Sequence, residues 1–234
     1  MYYKIADLIV DMNPQYAPLI NQIAPYKIDD VPEVVHCVIS QGNKTITEQN
    51  KKYPRLSRGE VEYLLYGAYF YDALLKYQGI LLHSSCVIYQ GVAYLFSANS
   101  GVGKSTHTSI WCRIFPEAFI LNDDKPALRF DEDRLYAYGT PFSGKTNQNV
   151  NARYPVAGIA FIHRSDINKS EPISTKQALV RFMQQTLKPH DESRFDLIVQ
   201  TLECILKTTR FYSLGVNMSD EAALMAYDTM RQDR

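Results

Sequence analysis

The stretch that decides the fold runs Ser97-Ala98-Asn99-Ser100-Gly101-Val102-Gly103-Lys104-Ser105-Thr106. An apolar run at residues 92–96 precedes it and predicts a buried strand, and residues 105–115 after it predict a helix. The order of strand, glycine-rich loop and helix is the context that a Walker A phosphate-binding loop requires. We therefore predict that this stretch binds phosphate groups.

The residue types of the loop match the chemistry of phosphate binding. Gly101 and Gly103 allow positive φ angles, so that successive N–H groups point inward and form an anion nest. The free N–H groups and the dipole of the new helix also favour negative charge. Lys104 can reach the β- and γ-phosphates, and the Ser105 hydroxyl can ligate Mg²⁺. The predicted nucleotide-binding residues are Asn99, Ser100, Gly101, Val102, Gly103, Lys104, Ser105 and Thr106.

One position departs from the motif, because Ala98 stands where G-x-x-x-x-G-K-[ST] has its first glycine. Alanine does not adopt a positive φ at low cost. The alternative interpretation is a loop rich in glycine and serine that contains a lysine by chance. The agreement of strand, loop and helix favours phosphate binding.

Composition places the chain among globular proteins. Of its 234 residues 46% are hydrophobic and 21% are charged, which predicts a real core and argues against disorder. The net charge is zero, without the basic surplus typical of nucleic-acid binders. The chain could form one large domain or a core with a small lobe. We predict a small N-terminal lobe at residues 1–56 and a catalytic domain at residues 57–234.

Cysteine spacing and hydropathy indicate the cellular compartment of the protein. The chain has four cysteines and no C-x-x-C pair, which argues against zinc or a dithiol redox site. Cys86 and Cys112 lie in apolar segments and are predicted to be reduced core residues. The N-terminus lacks a basic and then apolar signal pattern, and no apolar run is long enough to span a membrane. We expect a cytoplasmic protein without membrane or nucleic-acid partners.

Two apolar segments, residues 80–88 and 92–97, predict an antiparallel pair of strands joined by a turn at Gly91. This antiparallel hairpin differs from the βαβ unit with which Ras-like or Rossmann-like folds begin. Further along the chain, helical patterns concentrate after residue 174. The prediction is an α/β fold with a mixed, partly antiparallel sheet, a small N-terminal lobe and a helical C-terminal flank. A helix at residues 59–76 is predicted to bury the face formed by Val61, Leu64, Leu65, Ala68, Tyr71 and Leu75.

The pair Asp123-Asp124 follows a short predicted strand at residues 118–121. Phosphoryl transfer needs an acid at such a strand end to hold Mg²⁺, and a carboxylate that accepts the proton of the substrate hydroxyl. We assign the metal to Asp123 and the general base to Asp124, although the two roles could be exchanged. The alternative is a turn, since Asn-Asp-Asp is also good turn chemistry.

Two further residues are candidates for the site. His83 lies on the strand predicted to pair with the one that leads into the loop, where it could face the phosphates, ligate metal or tune the acids. The alternative is a structural histidine within a strand. Lys145 ends a turn-rich segment and could neutralise a phosphate or a carboxylate of the substrate. A lone lysine in a loop is otherwise usually solvated.

These residues together resemble a known family. His83 with Ser84-Ser85, the loop at residues 99–105 and Asn122-Asp123-Asp124 are similar to the catalytic domain of bacterial HPr kinase/phosphorylase. That family shares its fold with ATP-dependent phosphoenolpyruvate carboxykinase. The longer strings at residues 105–108, 122–126 and 138–145 resemble HPr-kinase-like bacterial proteins, some of which phosphorylate peptide serines. The likeness covers roughly residues 80–165.

The resemblance implies a kinase that uses ATP and Mg²⁺, with Lys104, His83 and Asp124 as catalytic residues and Ser105 and Asp123 at the metal. The acceptor would be a hydroxyl, either a serine of a peptide or protein or a small molecule. A homo-oligomer is compatible with the resemblance. The chain lacks the later signature rich in Glu, Arg and Gly of true HPr kinases, which argues against HPr itself as the acceptor. The alternative is a non-catalytic module that binds nucleotide and acts as a sensor.

Overall fold

A computed structural model of the chain describes residues 1–40, 42–144, 146–189 and 191–231. Within those residues the strands form two sheets, and both sheets are mixed. The N-terminal sheet has the order β3-β1-β2-β4. Its strands are β1 (Tyr2–Ile5), β2 (Leu8–Met12), β3 (Lys27–Ile28) and β4 (Cys37–Ile39).

The larger sheet has the order β5-β9-β10-β11-β7-β6-β8, and β13 pairs with both β11 and β12. The long strand β11 runs parallel to β7 and β13, whereas β6 is antiparallel to both of its neighbours. The predicted mixed, partly antiparallel α/β sheet is therefore confirmed. The strands are β5 (Gly79–Leu81), β6 (Ser84–Tyr89), β7 (Val92–Ser97), β8 (Phe119–Asn122), β9 (Ala127–Asp131), β10 (Arg134–Tyr138), β11 (Arg153–Arg164), β12 (Lys169–Pro172) and β13 (Phe211–Val216).

The helices begin where capping residues occur in the sequence. Ser57 accepts the Glu60 N–H, and the Glu60 carboxylate accepts the Ser57 N–H, which forms a capping box. Ser174 and Gln177 form a second one. The helices are α1 (Ala17–Ile23), α2 (Asn43–Lys52), α3 (Arg58–Leu74), α4 (Lys104–Ile114), α5 (Thr175–Gln185), α6 (Phe195–Thr208) and α7 (Asp220–Met230). In the described part of the chain, none of them is long and apolar enough to span a membrane.

The hairpin of β6 and β7 leads directly into the glycine-rich loop. Gln90 and Gly91 at its turn have φ angles of 51° and 77°, as a two-residue type I′ turn requires. The pairing continues to Ser84 opposite Ser97. The predicted antiparallel hairpin is therefore confirmed, and it fixes where β7 ends.

Strand β7 is buried on both faces of the sheet. Leu95 packs in a core with α5 and α6, which includes Phe182 and Leu202. Tyr94 packs in a different core with α4 and α7, which includes Trp111. Burial on both sides explains why the sequence of β7 is a continuous apolar run without alternation. The two layers of helices hold the strand end firmly at the site.

The predicted strand at residues 80–88 is wrong in one respect. It is two strands, because the strand pairing is interrupted at Leu82 and His83. Strand β5, before the interruption, pairs with β9, whereas β6, after it, pairs with β7 and β8. His83 therefore lies in the break between β5 and β6, outside any strand. The apolar pattern continues through the break because residues on both sides are buried, so hydropathy alone does not reveal it.

The predicted buried face of α3 is also wrong in part. The helix packs Tyr66 and Phe70 against the N-terminal sheet, together with Phe142. Leu64, which the prediction placed inside, is 47% exposed. This helix is apolar on more than one side, so the tertiary contact, rather than periodicity, selects the buried face.

The cysteines agree with the prediction of reduced thiols. Cys86 is buried, Cys112 is half-buried, and both are free, as are Cys37 and Cys204. Burial raises the pKa of the Cys86 thiol, which keeps it protonated and unreactive.

Candidate functional site

The glycine-rich loop, residues 98–103, connects the end of β7 to the start of α4. Gly101 and Gly103 have φ angles of 81° and 122°, which L side chains rarely adopt. A Cβ atom at either glycine would meet no other atom within 4 Å, so the space over both is open. Ala98 does not have a positive φ. Its methyl group therefore fits the loop without strain, although the motif has glycine there.

Lys104 is the first residue of α4 and is only 7% exposed. Its Nζ donates to the Ala98 carbonyl at 2.9 Å and lies 3.2 Å from His83 Nε2. Burial lowers the pKa of Lys104, and the nearby Asp124 and Asp123 partly oppose that shift. The ammonium group is therefore held under the open loop, next to two carboxylates.

His83 connects the lysine to the acid pair. Its Nε2 lies 3.1 Å from Asp124 Oδ1, and its Nδ1 lies 3.1 Å from Gln185 Oε1. The His83 backbone is held as well, because its N–H donates to the Gln185 carbonyl at 2.7 Å and its carbonyl accepts from Ser97 Oγ at 2.9 Å. The break between β5 and β6 thus places an oriented imidazole at the site.

Asp124 is held as a carboxylate. Burial alone would raise its pKa, but the hydrogen bond with His83 and the ammonium group of Lys125 lower that pKa to about 2. Lys125 Nζ contacts Asp124 Oδ2 directly. Gly144 approaches closely, since a Cβ there would lie 2.9 Å from the Asp124 Cβ. Asp124 is therefore ionised over the physiological pH range and can accept hydrogen bonds.

Asp123 points to different partners from those of its neighbour. It is 5% exposed, and its Oδ1 accepts from Ser85 Oγ at 2.6 Å. Ser85 Oγ also lies 2.8 Å from Thr108 Oγ1 on α4. Adjacent residues at a strand end diverge in direction, so the pair presents two carboxylates with separate environments.

A buried framework holds the acid pair in position. Asn122 Oδ1 accepts the N–H groups of Asp124 at 3.1 Å and Lys125 at 2.8 Å, and its Nδ2 donates to the Thr140 carbonyl at 2.9 Å. The Lys125 carbonyl accepts the hydroxyls of Thr140 and Tyr71. These polar groups are buried and paired, which stiffens the turn after β8.

Most of the predicted site residues line one cavity of about 480 Å³. Asn99 and Val102, from the predicted nucleotide set, do not line it. Asn99 accepts from Gln185 Nε2 at 2.7 Å, and Val102 lines a neighbouring cavity. Lys145 lies outside the described residues. The residues that line the larger cavity are His83, Ser100, Gly101, Gly103, Lys104, Ser105, Thr106, Asp123, Asp124, Gly144, Thr146, Arg164 and Met218.

The side chains around this cavity suit a metal ion that also binds phosphate oxygens of a substrate. In residues 1–40, 42–144, 146–189 and 191–231, no group of three or more His, Cys, Asp or Glu side chains could hold a metal. Mg²⁺ characteristically takes one or two carboxylates and completes its shell with water and substrate phosphates. The hydroxyl of Ser105 and the carboxylate of Asp123 fit that pattern.

Sequence reasoning missed two residues that shape the site. Gln185 ends α5 and bridges His83 to Asn99. Arg164 ends β11 and donates to the carbonyls of Gly101 at 2.6 Å and Val102 at 3.1 Å. Neither residue lies in a motif, and both come from distant segments. Only the sheet topology brings them to the loop.

Comparisons with known proteins give little beyond this geometry. No protein-family model matches the chain, and no curated protein matches it. Among solved structures, the Hpr(Ser) kinase/phosphatase from Coxiella burnetii is similar over 62% of this chain and 91% of that chain, with 10% identity and a TM-score of 0.35. The function proposed below therefore rests on the residues of this chain.

Proposed function

We propose that this protein is a kinase that uses ATP and Mg²⁺ to phosphorylate a hydroxyl group, specifically a serine of a peptide or protein. One observation carries the proposal. A buried lysine under an open glycine-rich loop, Lys104, lies beside His83 and the acid Asp124. Phosphoryl transfer needs a cation, phosphate-facing N–H groups and a proton acceptor at one place. Lys104, the loop glycines and Asp124 line the same cavity, which supports the proposal.

The loop is suited to the phosphates of the nucleotide. Gly101 and Gly103 leave open space over their backbone, which a side chain would otherwise fill. The N-terminus of α4 adds N–H groups and its dipole to the same place. Lys104 would exchange its contact with the Ala98 carbonyl for phosphate oxygens. Binding there would neutralise charge on the β- and γ-phosphates.

Ser105 and Asp123 would hold Mg²⁺ together with the phosphates. The ion would supply charge neutralisation on the transferring group. Ser85 already donates to Asp123, which keeps that carboxylate oriented toward α4. Because Asp123 is oriented in this way, it suits the role of the metal ligand.

Asp124 would act as the general base. Its low pKa keeps it ionised, and the His83 contact orients it. In the transfer step the acceptor oxygen forms a bond to the γ-phosphorus, the bond to the β,γ-bridging oxygen breaks, and the hydroxyl proton passes to Asp124. ADP and the phosphorylated hydroxyl are the products. Most of the catalysis would come from positioning and charge neutralisation.

Two alternatives use the same nucleotide site. A small-molecule kinase would need the same loop, ion and base but a different acceptor. A nucleotide-binding sensor would need the loop and would not need a base. The oriented pair of His83 and Asp124 favours a kinase, since nucleotide binding alone does not need a proton acceptor at the mouth of the loop.

Incubation with γ-labelled ATP and Mg²⁺ tests the proposal. Serine peptides, cell lysate and a panel of small alcohols serve as acceptors, and a matched reaction contains a chelator. We expect label on peptide or protein serine, and none with the chelator. Label on a small alcohol alone would favour the small-molecule kinase. Binding of ATP without transfer to any acceptor would favour the sensor.

A further inference from the structure

Tyr63, in the first half of α3, contacts the chain segment that lies against Asp124. Its phenol oxygen accepts the backbone N–H of Gly144 at 3.0 Å. Its ring packs against that of Phe142, with 5.6 Å between the ring centroids. The side chain is half-buried, and the transfer step proposed above gives it no role. Tyr63 therefore connects the helix that packs on the N-terminal sheet to the candidate site.

Gly144 is packed closely against the side chain of Asp124. A Cβ atom at Gly144 would lie 2.9 Å from the Asp124 Cβ and 3.1 Å from its Oδ2. The φ angle of Gly144 is 68°, which also favours glycine. The other carboxylate oxygen, Oδ1, lies 3.1 Å from His83 Nε2. The carboxylate thus has the imidazole at one oxygen and the Gly144 backbone beside the other.

The chain on both sides of Gly144 is anchored independently of the phenol hydroxyl. Before it, Phe142 is 1% exposed and packs in the core between α3 and the N-terminal sheet. After it, Asn149 Oδ1 accepts the Tyr26 hydroxyl at 2.8 Å, and Asn149 Nδ2 donates to Ser143 Oγ at 2.9 Å. Removal of the phenol hydroxyl should therefore release the backbone locally at Gly144, while the rest of the segment keeps its place.

We propose that Tyr63 is a positioning residue for phosphoryl transfer, because its hydroxyl holds the Gly144 backbone against the Asp124 carboxylate. The carboxylate is thereby kept in place beside His83. The inference rests on the proposed function, in which Asp124 is the general base. An aspartate side chain turns about two bonds, and a base must lie within hydrogen-bond reach of the proton that it accepts. A backbone wall beside the carboxylate removes rotamers in which Asp124 is out of reach.

A purely structural role for Tyr63 predicts a different result from a positioning role. If the hydroxyl only stabilised the fold, its loss would lower the melting temperature and would slow transfer by the same factor with or without the Asp124 carboxylate. If the hydroxyl acts through that carboxylate, its loss should slow transfer only while the carboxylate is present. A double-mutant cycle of the two residues measures this dependence.

The cycle compares Tyr63→Phe, Asp124→Asn and the double variant with the wild type. The probes are γ-labelled ATP, Mg²⁺ and the serine peptides and small alcohols of the labelling experiment. We expect Tyr63→Phe, which keeps the ring and loses only the hydroxyl, to slow single-turnover transfer about ten- to a hundredfold, the effect of a misplaced reacting group. Its affinity for Mg·ATP and its melting temperature should equal those of the wild type. In the Asp124→Asn background the same change should slow transfer no further.

A second pair of variants tests the contact from the side of Gly144. In Gly144→Ala the new methyl group would displace the Asp124 side chain, so transfer should fall while affinity for Mg·ATP is kept. Gly91→Ala is the matched control, because its φ angle is 77° but a Cβ there meets no atom within 4 Å. Tyr66→Phe is the control for the phenol, since it removes a hydroxyl of the same helix that donates to the Asn13 carbonyl. Both controls should transfer phosphate like the wild type.

The outcomes separate this inference from the proposed function. A wild type that transfers label to no acceptor would overturn the kinase, and the inference with it. If the wild type transfers label, unchanged transfer in Tyr63→Phe or in Gly144→Ala would overturn the inference alone. An equal loss from Tyr63→Phe with and without the Asp124 carboxylate would do the same. A Tyr63→Phe variant that melts at a lower temperature and also binds Mg·ATP more weakly, or that does not fold, would make Tyr63 a purely structural residue.

Discussion

The imidazole Nε2 of His83 lies 3.1 Å from the Asp124 carboxylate. The two residues come from different strand ends, the break before β6 and the turn after β8. They meet because β6 pairs with β8. The backbones of both residues are also fixed, and the Asp124 carbonyl accepts the Ser84 N–H at 3.1 Å. An oriented imidazole beside an ionised acid is an arrangement that suits proton transfer.

Lys104→Ala should abolish nucleotide turnover without unfolding the protein. Within the described residues, the hydrogen-bond partners of the ammonium group are the Ala98 carbonyl and the imidazole of His83, so we expect the core to stay intact without it. Removal of one preorganised charge contact costs on the order of 10²–10³ in rate. Single-turnover transfer and thermal melting measure the two effects, with the exposed Lys176→Ala as the matched control. Unchanged turnover in Lys104→Ala would overturn the phosphate-loop assignment.

Asp124→Asn and Asp123→Asn should have different effects. A general base contributes on the order of 10²–10⁴ to rate and little to ground-state binding, so Asp124→Asn should lose transfer and keep its affinity for Mg·ATP. Asp123→Asn should weaken both, since a metal ligand acts in both states. Metal titrations with single-turnover transfer on each variant measure this. The reverse pattern would exchange the two roles, and no effect on transfer in either variant would contradict the kinase.

Gln185→Met should slow phosphate transfer while the protein stays folded. The Gln185 side chain joins His83 Nδ1 to Asn99, and methionine has a similar shape without those bonds. Misplacement of a reacting group by about 1 Å costs on the order of 10² in rate. The exposed neighbour Gln184→Met is the control, and unaltered transfer in Gln185→Met would rule out the positioning role.

Burial of His107 should make folding stability sensitive to acid. Its pKa falls from 6.5 to about 4 in the folded protein, so the unfolded chain binds the extra proton first. Stability is therefore fully present above pH 6.5 and decreases as the pH falls toward 4, by up to about 3 kcal/mol. Denaturant unfolding of the wild type and His107→Gln across this range measures the difference, since other groups titrate alike in both. A constant difference between the two proteins would show that His107 titrates normally.

Local chemistry in the sequence was enough to predict several elements. Gln90-Gly91 favours a tight hairpin because glycine adopts positive φ freely, and the hairpin forms there. The capping boxes at Ser57 and Ser174 mark the starts of α3 and α5, because their hydrogen bonds lie within one turn. Strand, loop and helix at residues 92–114 follow in the predicted order. Each of these depends on residues that are neighbours in the chain.

The sequence alone therefore determined the glycine-rich loop, the acid pair and the antiparallel hairpin that precedes them, because backbone preference and short-range hydrogen bonds specify each one. Tertiary structure decided the rest. It selected which apolar side of α3 is buried, placed His83 in a break between strands, and brought Gln185 and Arg164 to the loop. Those outcomes depend on pairing between distant strands and on packing of helices against both faces of the sheet, which no local pattern encodes.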